Sequence, residues 1–509
     1  MLDLTNRIAQ LSPEKLAVLS ERLRERRGKV QLIPHIPNIG NKRMLSLAQE
    51  GLWFLNQMDP ASPVYNIPVA IELHGTVDSV ALQLSLDEIS ARHEILRTTV
   101  CPSGGRPFQV LSSHSAVQIC YEDLGHNEAL HPFEVWLREK VRQPLDLREG
   151  PLLKVYCGRF HDRCVLLIIM HHLISDAWSM KIFIGELVAL YTAHVTGCVA
   201  KLCDLPIQYY DFAHWQRKFL SSDSYERQLK YWKQQLSGVL DLPPFPSDRS
   251  RQRDTGQALA SLCVDISSSA ATSFEALVKR EGITQFIGFL AAFQIAIHLF
   301  TGLKDLVIGS PISGRFYLEC ENIIGLFADM QILRTNLGGN PKFRELLCRV
   351  HKVAVEAHDH HDVPFQKLVE AIQPPRNVNT IPLFQLTFTL QRDFNLPQLP
   401  GLTITKINVS TGIAMFDLDL KVIETKEKKV ALFEYKHAIF DHATIARLSR
   451  AFLNVVEIVA EDSCLRLSEI CERLQRAEAQ YAAGQQLERQ NILWARLAGS
   501  KRKTVVATP

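Results

Sequence analysis

Two adjacent histidines, with an aspartate four residues after the second, are the residues best suited to chemistry in this chain. His171, His172 and Asp176 lie in residues 165–187, VLLIIMHHLISDAWSMKIFIGEL. An imidazole with a pKa near ~6.5 can accept a proton or orient a hydrogen-bond donor at neutral pH. An α-amino group with a pKa near ~8 is already partly uncharged there, so it needs placement more than a strong base. These residues therefore suggest attack of an amine on an activated acyl group.

The elements that must position these side chains are a strand, a turn and a helix. Residues 165–170 are all apolar, which predicts a strand covered on both faces. Trp178, Ile182 and Leu187 recur at roughly helical spacing, which predicts a helix beginning near Ala177. The first N–H groups of that helix would point toward a developing oxyanion. Successive strand side chains point to opposite faces, so one histidine is a candidate for function and the other for structure, but parity cannot choose between them.

Other chemistries lack support in the sequence. It contains no GxxxxGK[ST], GxGxxG or GxSxG motif, so nucleotide binding and a nucleophile elbow are not indicated. A metal site built from His171, His172 and Asp176 is disfavoured, because adjacent histidines on a strand diverge and no further ligand is suggested. The eleven cysteines include no CxxC pair, which fits neither a zinc site nor a disulfide framework. We therefore expect a reduced, cytoplasmic protein without a metal.

Length and composition limit the architecture. A chain of 509 residues exceeds one ordinary core and predicts two units of about 200 residues each. Its formal charge of +3 is small for this length and gives no case for nucleic acid or a membrane surface. The N-terminus does not resemble a signal peptide, and the apolar residues 286–300 are too short to span a bilayer. We predict that residues 286–300 form a buried helix.

The chain divides into five predicted segments. Ser12 and Pro13 predict a helix start near the N-terminus, and the helix is either a docking element or a solvated helix that packs on its own domain or stays loose. A proline-rich, charged connector at 240–256 lies near the middle of the chain. The predicted boundaries are a helical segment at 1–30, a linker at 31–43, subdomains at 44–220 and 221–475, and a helical then disordered basic tail at 476–509.

Residues 430–452 echo the opening stretch. They again read as a strand, a histidine, an aspartate four residues on, and a helix, so that His437 falls on His172 and Asp441 on Asp176. This pattern predicts an internal repeat. If both aspartates fix equivalent turns, the chemistry must come from what differs between the copies, and Lys436 stands where the first copy has His171.

Seven motifs in order resemble those of the condensation domains of nonribosomal peptide synthetases. The resemblance covers roughly residues 44–475 and implies an α/β (α+β) fold of two chloramphenicol acetyltransferase-like subdomains. These would form a V-shaped pseudo-dimer with a central channel, which would explain the echo. The motifs are SLAQEGLWFL, RHEILRTTV, MHHLISDAWS with the family's HHxxxDG core, YYDFAHW, IGLFADMQILR, HDVPFQ and PRNVNTIPLFQ.

The resemblance also implies a reaction and its residues. A donor acyl group, held as a thioester on the phosphopantetheine arm of one carrier protein, is attacked by the amine of an acceptor on a second carrier. By this resemblance His172 is the catalytic base or amine-positioning group, and no cofactor is covalently bound. The other implied site residues are His171 and Trp178 beside it, Asp176 as a structural residue paired with Arg92 or Arg97, and Asp329, Gln331 and Ser310 as possible channel residues.

The sequence departs from the family pattern in three motifs. Ala177 stands where glycine is usual, and it would cost about 1 kcal/mol if that position needs a positive φ. Gly51 replaces the usual arginine of the first motif. Residues 328–330, Ala-Asp-Met, replace valine-asparagine-threonine, so that Asp329 exchanges an amide for a carboxylate. These departures bear on rate, on substrate choice and on activity itself.

The sequence therefore predicts a stand-alone, monomeric condensation enzyme. Ala177-Trp178-Ser179 follows the condensation pattern rather than that of epimerisation domains, and the two histidines exclude the cyclisation pattern. We expect donor and acceptor peptidyl carrier proteins to act in trans, with other synthetase subunits as partners and no nucleic acid or membrane. The product is an amide or an ester. The alternative is a catalytically silent module that binds or recruits carrier proteins.

Overall fold

The computed structural model describes residues 32–37, 40, 42–112, 117–125, 133–159, 163–251, 257–374, 381–393 and 398–500. The predicted N-terminal helix and the basic tail at 501–509 lie outside these residues, as do residues 375–380 of the seventh motif.

The first half of the chain builds a small three-stranded sheet and most of a five-stranded sheet. The three-stranded sheet has the order β1-β4-β3. The helices are α1 (Leu47–Met58), α2 (Ser79–Arg92), α3 (Phe133–Val141), α4 (Ala177–Thr196), α5 (Tyr209–Phe219) and α6 (Asp223–Gln235). The strands are β1 (Lys42–Met44), β2 (Asn66–His74), β3 (Thr98–Ser103), β4 (Arg106–Leu111), β5 (Ile119–Asp123), β6 (Leu153–Arg159) and β7 (Arg163–His171).

The second half builds a six-stranded sheet with the order β10-β9-β11-β13-β14-β8. Its strands are β8 (Leu259–Ile266), β9 (Asp305–Ile312), β10 (Asp329–Asn336), β11 (Leu386–Arg392), β12 (Thr403–Ile407), β13 (Leu418–Glu424) and β14 (Lys429–Lys436). Its helices are α7 (Ser268–Arg280), α8 (Gln285–Thr301), α9 (Phe343–Asp359), α10 (Phe365–Ile372), α11 (His442–Glu461) and α12 (Leu467–Ser500).

The two large sheets are built alike, which confirms the predicted repeat. In the first, β2 pairs antiparallel with β7, and β6 pairs antiparallel with β7 and parallel with β5. In the second, β8 pairs antiparallel with β14, and β13 pairs antiparallel with β14 and parallel with β11. Strands β7 and β14 each lead through a short turn into a 20-residue helix, α4 or α11. The mixed helix and sheet architecture with two related subdomains is the fold class predicted from the sequence.

Strand β12 joins the two halves. It belongs to the second half by sequence but pairs antiparallel with β2, which completes the five-stranded sheet in the order β12-β2-β7-β6-β5. Just after β12, the Arg142 side chain donates a hydrogen bond to the Thr411 carbonyl at 2.9 Å. A linear division of the chain into residues 44–220 and 221–475 therefore leaves one strand of the first sheet in the second segment.

Helix α8 is the buried helix predicted from residues 286–300. Eleven consecutive residues of this helix are buried, and Gln294 satisfies its amide by donating to the Thr335 hydroxyl at 3.0 Å. Among the described residues no single helix is long and apolar enough to cross a membrane; only α7 and α8 together, bent by 112°, meet such a criterion. The structure also joins Cys157 to Cys164, a pair that the cysteine spacing did not predict.

Candidate active site

The turn between β7 and α4 has the form predicted from the sequence. Strand β7 ends at His171, and Asp176 occupies the N-cap of α4, where its carboxylate accepts the Ser179 N–H at 2.7 Å. A capping carboxylate satisfies one of the N–H groups that a helix start leaves without partners and also suits the positive end of the helix dipole. The turn is therefore held from its helical side by a side chain that is itself buried.

His171 is a buried, neutral residue. Its Nδ1 accepts the backbone N–H of Leu173 at 3.0 Å, and only 3% of the residue is exposed. Burial, and then the neighbouring His172, lower the pKa of His171 to about 3. Tyr65 packs its ring at a tilt 6.2 Å away. His171 thus occupies a structural position.

His172 is held in one orientation and one tautomer. Its Nδ1 lies 2.7 Å from the Ser175 carbonyl oxygen, and its backbone N–H donates to the Tyr65 carbonyl at 2.7 Å. Because a carbonyl oxygen can only accept, Nδ1 carries the proton and Nε2 of the neutral ring keeps the basic lone pair. The residue is half-buried, unlike its fully buried neighbour. His172 therefore presents an oriented proton acceptor at the end of the strand.

The predicted partner of Asp176 was wrong. Asp176 pairs with Arg315, whose guanidinium lies 3.2 Å from Oδ1, and both side chains are almost fully buried. Arg92 instead pairs with Glu186 at 3.0 Å, and Arg97 donates to the carbonyls of Ser90 and Ser112. Both arginines lie at the C-terminal end of α2 and in the turn that follows it, where partners from α4 and from nearby carbonyls satisfy them. The ion pair that holds the turn comes from the other half of the chain.

Arg315 itself is held by several acceptors. It donates to the carbonyls of Cys320 and Ile323 and to the Ser179 hydroxyl, and its guanidinium lies 4.1 Å from the centre of the Phe327 ring. The preceding residue, Gly314, has φ +64°, and a Cβ there would lie 1.8 Å from the Phe327 carbonyl oxygen. The loop that delivers Arg315 can therefore approach the next segment only with glycine at this position.

Residues 324–328, the core of the fifth motif, are bound by side chains from the first half of the chain. We call these residues the clamped segment. His93, Asp176, Ser179 and Tyr209 each satisfy at least one of its backbone groups, so the second half is fixed against the turn that carries His172. The contacts are Ile324 N–H to His93 Nδ1 at 3.4 Å, Gly325 N–H to Ser179 Oγ at 3.0 Å, Ser179 Oγ to Gly325 O at 2.7 Å, Tyr209 Oη to Leu326 O at 2.7 Å, and the N–H groups of Phe327 and Ala328 to Asp176 Oδ2 at 3.0 and 3.1 Å.

His93 of the second motif has a structural role in this arrangement. The ring is completely buried; Nδ1 accepts from Ile324, and Nε2 lies 2.9 Å from the Glu186 carboxylate of α4. The acceptor role of Nδ1 makes Nε2 the donor to Glu186. The second motif thereby ties α4 to the clamped segment.

The strain expected at Ala177 is absent. Ala177 is the first residue of α4, it is exposed, and it is not among the described non-glycine residues with positive φ, so the expectation that this position requires glycine was wrong. Trp178 is 43% exposed, and its indole N–H donates to the Glu321 carbonyl at 3.0 Å. Two consecutive residues after Asp176 are thus accessible at the start of the helix.

The predicted channel residues lie on β9 and β10, next to the clamped segment. Ser310 and Gln331 are register partners, so both point to the same face of the sheet as Thr335, which contacts α8. Ser310 is 3% exposed and donates to the Phe388 carbonyl at 3.0 Å. This placement under the helix layer contradicts the expectation that Ser310 lines an open channel. Gln331 is half-buried on the same face, and its amide nitrogen has no described partner.

Asp329 connects β10 to the start of α10. Its carboxylate accepts the Phe365 N–H at 3.2 Å and the Met330 N–H at 2.8 Å. Burial of this carboxylate raises the pKa of Asp329 to about 7, although the two backbone N–H groups act in the opposite direction. The departure from asparagine therefore places a titratable group one residue beyond the clamped segment.

The equivalent turn in the second half is built from different contacts. Asp441 lies at the N-cap of α11 but does not cap it with its side chain; it pairs instead with Arg249, and both side chains are about half exposed. His437 is exposed, whereas Lys436 is buried and paired with Asp417 at 2.9 Å. Both aspartates mark equivalent turns, as expected, but only the first turn is enclosed by the other half of the chain.

Four residues that complete the site were not predicted: Arg315, Ser179, Tyr209 and Gly325. Tyr209 and Gly325 lie within motifs that the sequence singled out, and Ser179 lies in the helix start, but no local pattern indicated their contacts. Among the described residues, no group of three or more histidine, cysteine or acidic side chains is arranged to hold a metal ion. The arrangement can orient a reactant and accept a proton at His172.

Comparison with known proteins agrees with this geometry. Residues 40–480 match the family described as the condensation domain. The chain is 37% identical over 452 residues to a linear gramicidin synthase of Brevibacillus parabrevis, in a match that covers 87% of this chain and 6% of that protein. It is 36% identical to malpinin synthetase of Mortierella alpina, over 84% of this chain and 6% of the synthetase. The chain thus spans less than a tenth of the length of these relatives.

Solved structures share the fold. The X-domain from teicoplanin biosynthesis superposes with a TM-score of 0.78 at 24% identity, covering 86% of this chain and 99% of that one. The first condensation domain of the calcium-dependent antibiotic synthetase, in complex with a substrate analogue, has a TM-score of 0.70 at 18% identity and covers 85% and 99%. At these identities the similarity concerns the fold alone.

Proposed function

Because the chain belongs to the condensation-domain family, we propose that it joins an acyl or peptidyl donor, held as a thioester on one carrier protein, to the amine of a second, carrier-bound acceptor. The product is an amide; an acceptor hydroxyl in place of the amine gives an ester. The family match, the identity to peptide synthetases and the oriented imidazole at the end of β7 all support this reaction.

In the proposed reaction His172 acts on the acceptor amine. The amine nitrogen attacks the thioester carbonyl, the C–N bond forms, and the amine proton passes to Nε2 of His172. The C–S bond then breaks, and the proton returns to the departing thiolate, which leaves as a thiol. The imidazole starts and ends neutral, with Nδ1–H bound to the Ser175 carbonyl throughout.

The observation that carries the proposal is the Nδ1 bond of His172 to the Ser175 carbonyl at 2.7 Å. It leaves the basic nitrogen on the side of the ring away from the turn, and the clamp on Asp176 keeps the turn from shifting. Capping by Asp176 occupies the Ser179 N–H, so the N–H groups of Ala177 and Trp178 are the ones without an intrahelical partner at the start of α4. We propose that these groups stabilise the developing oxyanion.

The carriers and the location are further parts of the proposal. We propose that donor and acceptor carriers, with other synthetase subunits, meet this chain in trans in the cytoplasm, and that their phosphopantetheine arms bring the substrates. The relatives are synthetases more than ten times as long as the matched region, which supports carriers as the partners.

The test is incubation of the protein with donor-loaded and acceptor-loaded carriers, followed by mass spectrometry of the acceptor arm. We expect a mass increase on the acceptor with the wild type and a loss of about 100-fold or more with His172→Ala, because general acid–base or positioning residues contribute on this scale. His437→Ala is the matched control, since it removes the exposed histidine of the equivalent turn in the second half. It should react like the wild type.

The outcomes separate the two hypotheses. Transfer that persists in His172→Ala would contradict the assigned role of this residue. A wild type that binds both carriers but transfers nothing would contradict the enzyme and favour the silent carrier-binding module.

A further inference from the structure

The internal repeat reveals an uncovered sheet edge. Strands β2 and β8 are equivalent, because each pairs antiparallel with the strand that leads into the repeated turn, β7 or β14. The other edge of β2 is covered by β12, a strand supplied by the opposite half of the chain. Strand β8 is the last strand of its sheet, and no described strand covers its other edge. The fold therefore accepts an added strand at this position in one half and leaves it open in the other.

The backbone groups that face the open edge can be identified from two hydrogen bonds. The Ala258 carbonyl accepts from His437, beside β14, whereas the Leu259 N–H donates outward to the Gly412 carbonyl at 2.9 Å. Strand residues alternate in this respect, so Ser261, Cys263 and Asp265 direct their N–H and C=O groups outward, as Leu259 does.

The open stretch has natural limits at both ends. Residues 412–414 cover the edge up to Leu259, through an antiparallel bridge between Ala258 and Ile413. At the other end the strand stops at Ile266, and α7 begins at Ser268. An added strand can therefore pair with residues 260–266.

Strand β8 lacks most of the features that protect edge strands. Its sequence, LASLCVDI, contains no lysine, arginine, proline or glycine, and its only charge is Asp265 near one end. Both Asp265 oxygens lie 2.9 Å from the Lys428 ammonium, which offsets that charge. Ser261, Cys263 and Asp265 are exposed on one face, and α11 packs on the strand from the helix side. Edges of this kind are sites of strand addition.

We propose that the open edge of β8 binds the same edge of a second copy of this chain, antiparallel and around a two-fold axis at Cys263. In this register Cys263 faces its own copy and Ser261 faces Asp265 of the second copy, so that the hydroxyl donates to the carboxylate. Each of these pairs exchanges two backbone hydrogen bonds, because all three residues direct their backbone groups outward. The exposed residues are thus self-complementary, which favours a second copy over an unrelated segment.

The contact is a small one and gives concentration-dependent association. A single strand pair buries far less than the roughly 1,200 Å² of a stable interface, so the expected state at low concentration is the predicted monomer. At higher concentration the two six-stranded sheets join into one continuous sheet.

The register predicts a specific cross-link. Residues that exchange both backbone hydrogen bonds have Cα atoms about 5.5 Å apart, within the range that a disulfide requires. We expect mild oxidation of the full-length protein with diamide to give a covalent dimer, and peptide mass spectrometry to identify a Cys263–Cys263 bond. Cys263→Ser should abolish the dimer. Cys120→Ser is the matched control, because Cys120 is exposed on β5, the outer strand of the other sheet.

Sedimentation equilibrium tests the contact without oxidation. Cys263→Lys places two ammonium groups opposite each other at the axis, and we expect it to weaken self-association by about tenfold or more. Equal association of this variant and the wild type would overturn the proposal, as would a cross-link that survives Cys263→Ser. A wild type that stays monomeric across the whole concentration range and forms no Cys263 cross-link would also overturn it.

Discussion

The carboxylate of Asp176 and the guanidinium of Arg315 lie 3.2 Å apart, and the pair joins the two halves of the protein four residues after His172. The same carboxylate also caps α4 and accepts two N–H groups of the clamped segment. One side chain thus sets the helix start, the turn and the approach of the second half. Removing it should affect both stability and reaction.

Asp176→Ala should lower the free energy of unfolding by about 3–5 kcal/mol, because it leaves a buried guanidinium without its counter-charge. Urea denaturation measures this loss. Asp441→Ala is the matched control: its partner Arg249 is half exposed, so the expected loss is at most about 1 kcal/mol. Similar losses in the two variants would show that the enclosure of the first turn has no energetic consequence.

Gly325→Ala should destabilise the protein by about 1–3 kcal/mol, because the added Cβ would lie 2.0 Å from Cδ2 of the buried Tyr209 ring. The ring can relieve the overlap only by giving up its hydrogen bond to Leu326 or by moving the clamped segment. The same denaturation experiment applies. Gly185→Ala, in α4, meets no atom within 4 Å and should stabilise the helix by about 0.5–1 kcal/mol. A neutral Gly325→Ala would contradict the tight packing of this segment.

The site was predictable from sequence where it depends on local pattern. The apolar run before His171 and the helical spacing after Asp176 predicted β7, the turn and α4, and the echo predicted β14 and α11. The choice between the two histidines was not predictable from parity, because both faces of β7 are buried. Burial and the Leu173 contact make His171 structural, and the Ser175 contact orients His172.

The rest of the site depends on contacts between distant residues. Arg315 lies 139 positions from Asp176, and no periodicity links the two. The arginines near in sequence, Arg92 and Arg97, were plausible partners, but the fold gives them Glu186 and two carbonyls. Strand β12 escaped a linear division of the chain for the same reason, since pairing across halves leaves no mark on local composition.

His171 should make the protein less stable in acid. Its pKa falls from 6.5 in the unfolded chain to about 3 in the folded protein, so the unfolded state takes up a proton that the folded state refuses. Its stabilising contribution is complete above pH 6.5 and is lost as the pH falls toward 3, by about 1.4 kcal/mol per pH unit. Denaturation curves at about pH 7.5, 6 and 5 should show this slope.

The variant His171→Asn tests this assignment. An asparagine oxygen can replace Nδ1 as acceptor for the Leu173 N–H, so the turn can keep this bond while the titration disappears. His437→Asn removes an exposed histidine and should keep the slope of the wild type. An equal slope in wild type and His171→Asn would contradict the buried, neutral state.

Asp329 should have the opposite pH dependence. Its pKa rises from 3.8 to about 7 on folding, so the folded state retains a proton that the unfolded chain releases. The stability it supports is complete below about pH 4 and is lost as the pH rises toward 7, after which a buried carboxylate remains.

Asp329→Asn tests this by avoiding the charge while keeping an oxygen to accept the Phe365 N–H. We expect it to stabilise the protein by roughly 1–4 kcal/mol at about pH 8 and to have little effect near pH 4, where the folded wild type is protonated and carries no charge at this position. Denaturation at the two pH values checks this, and the acidic measurement is the internal control. If Asp329→Asn destabilised the protein at the higher pH, the carboxylate would be a favourable helix cap for α10 instead of a buried charge, and the departure from the family's asparagine would have the opposite meaning.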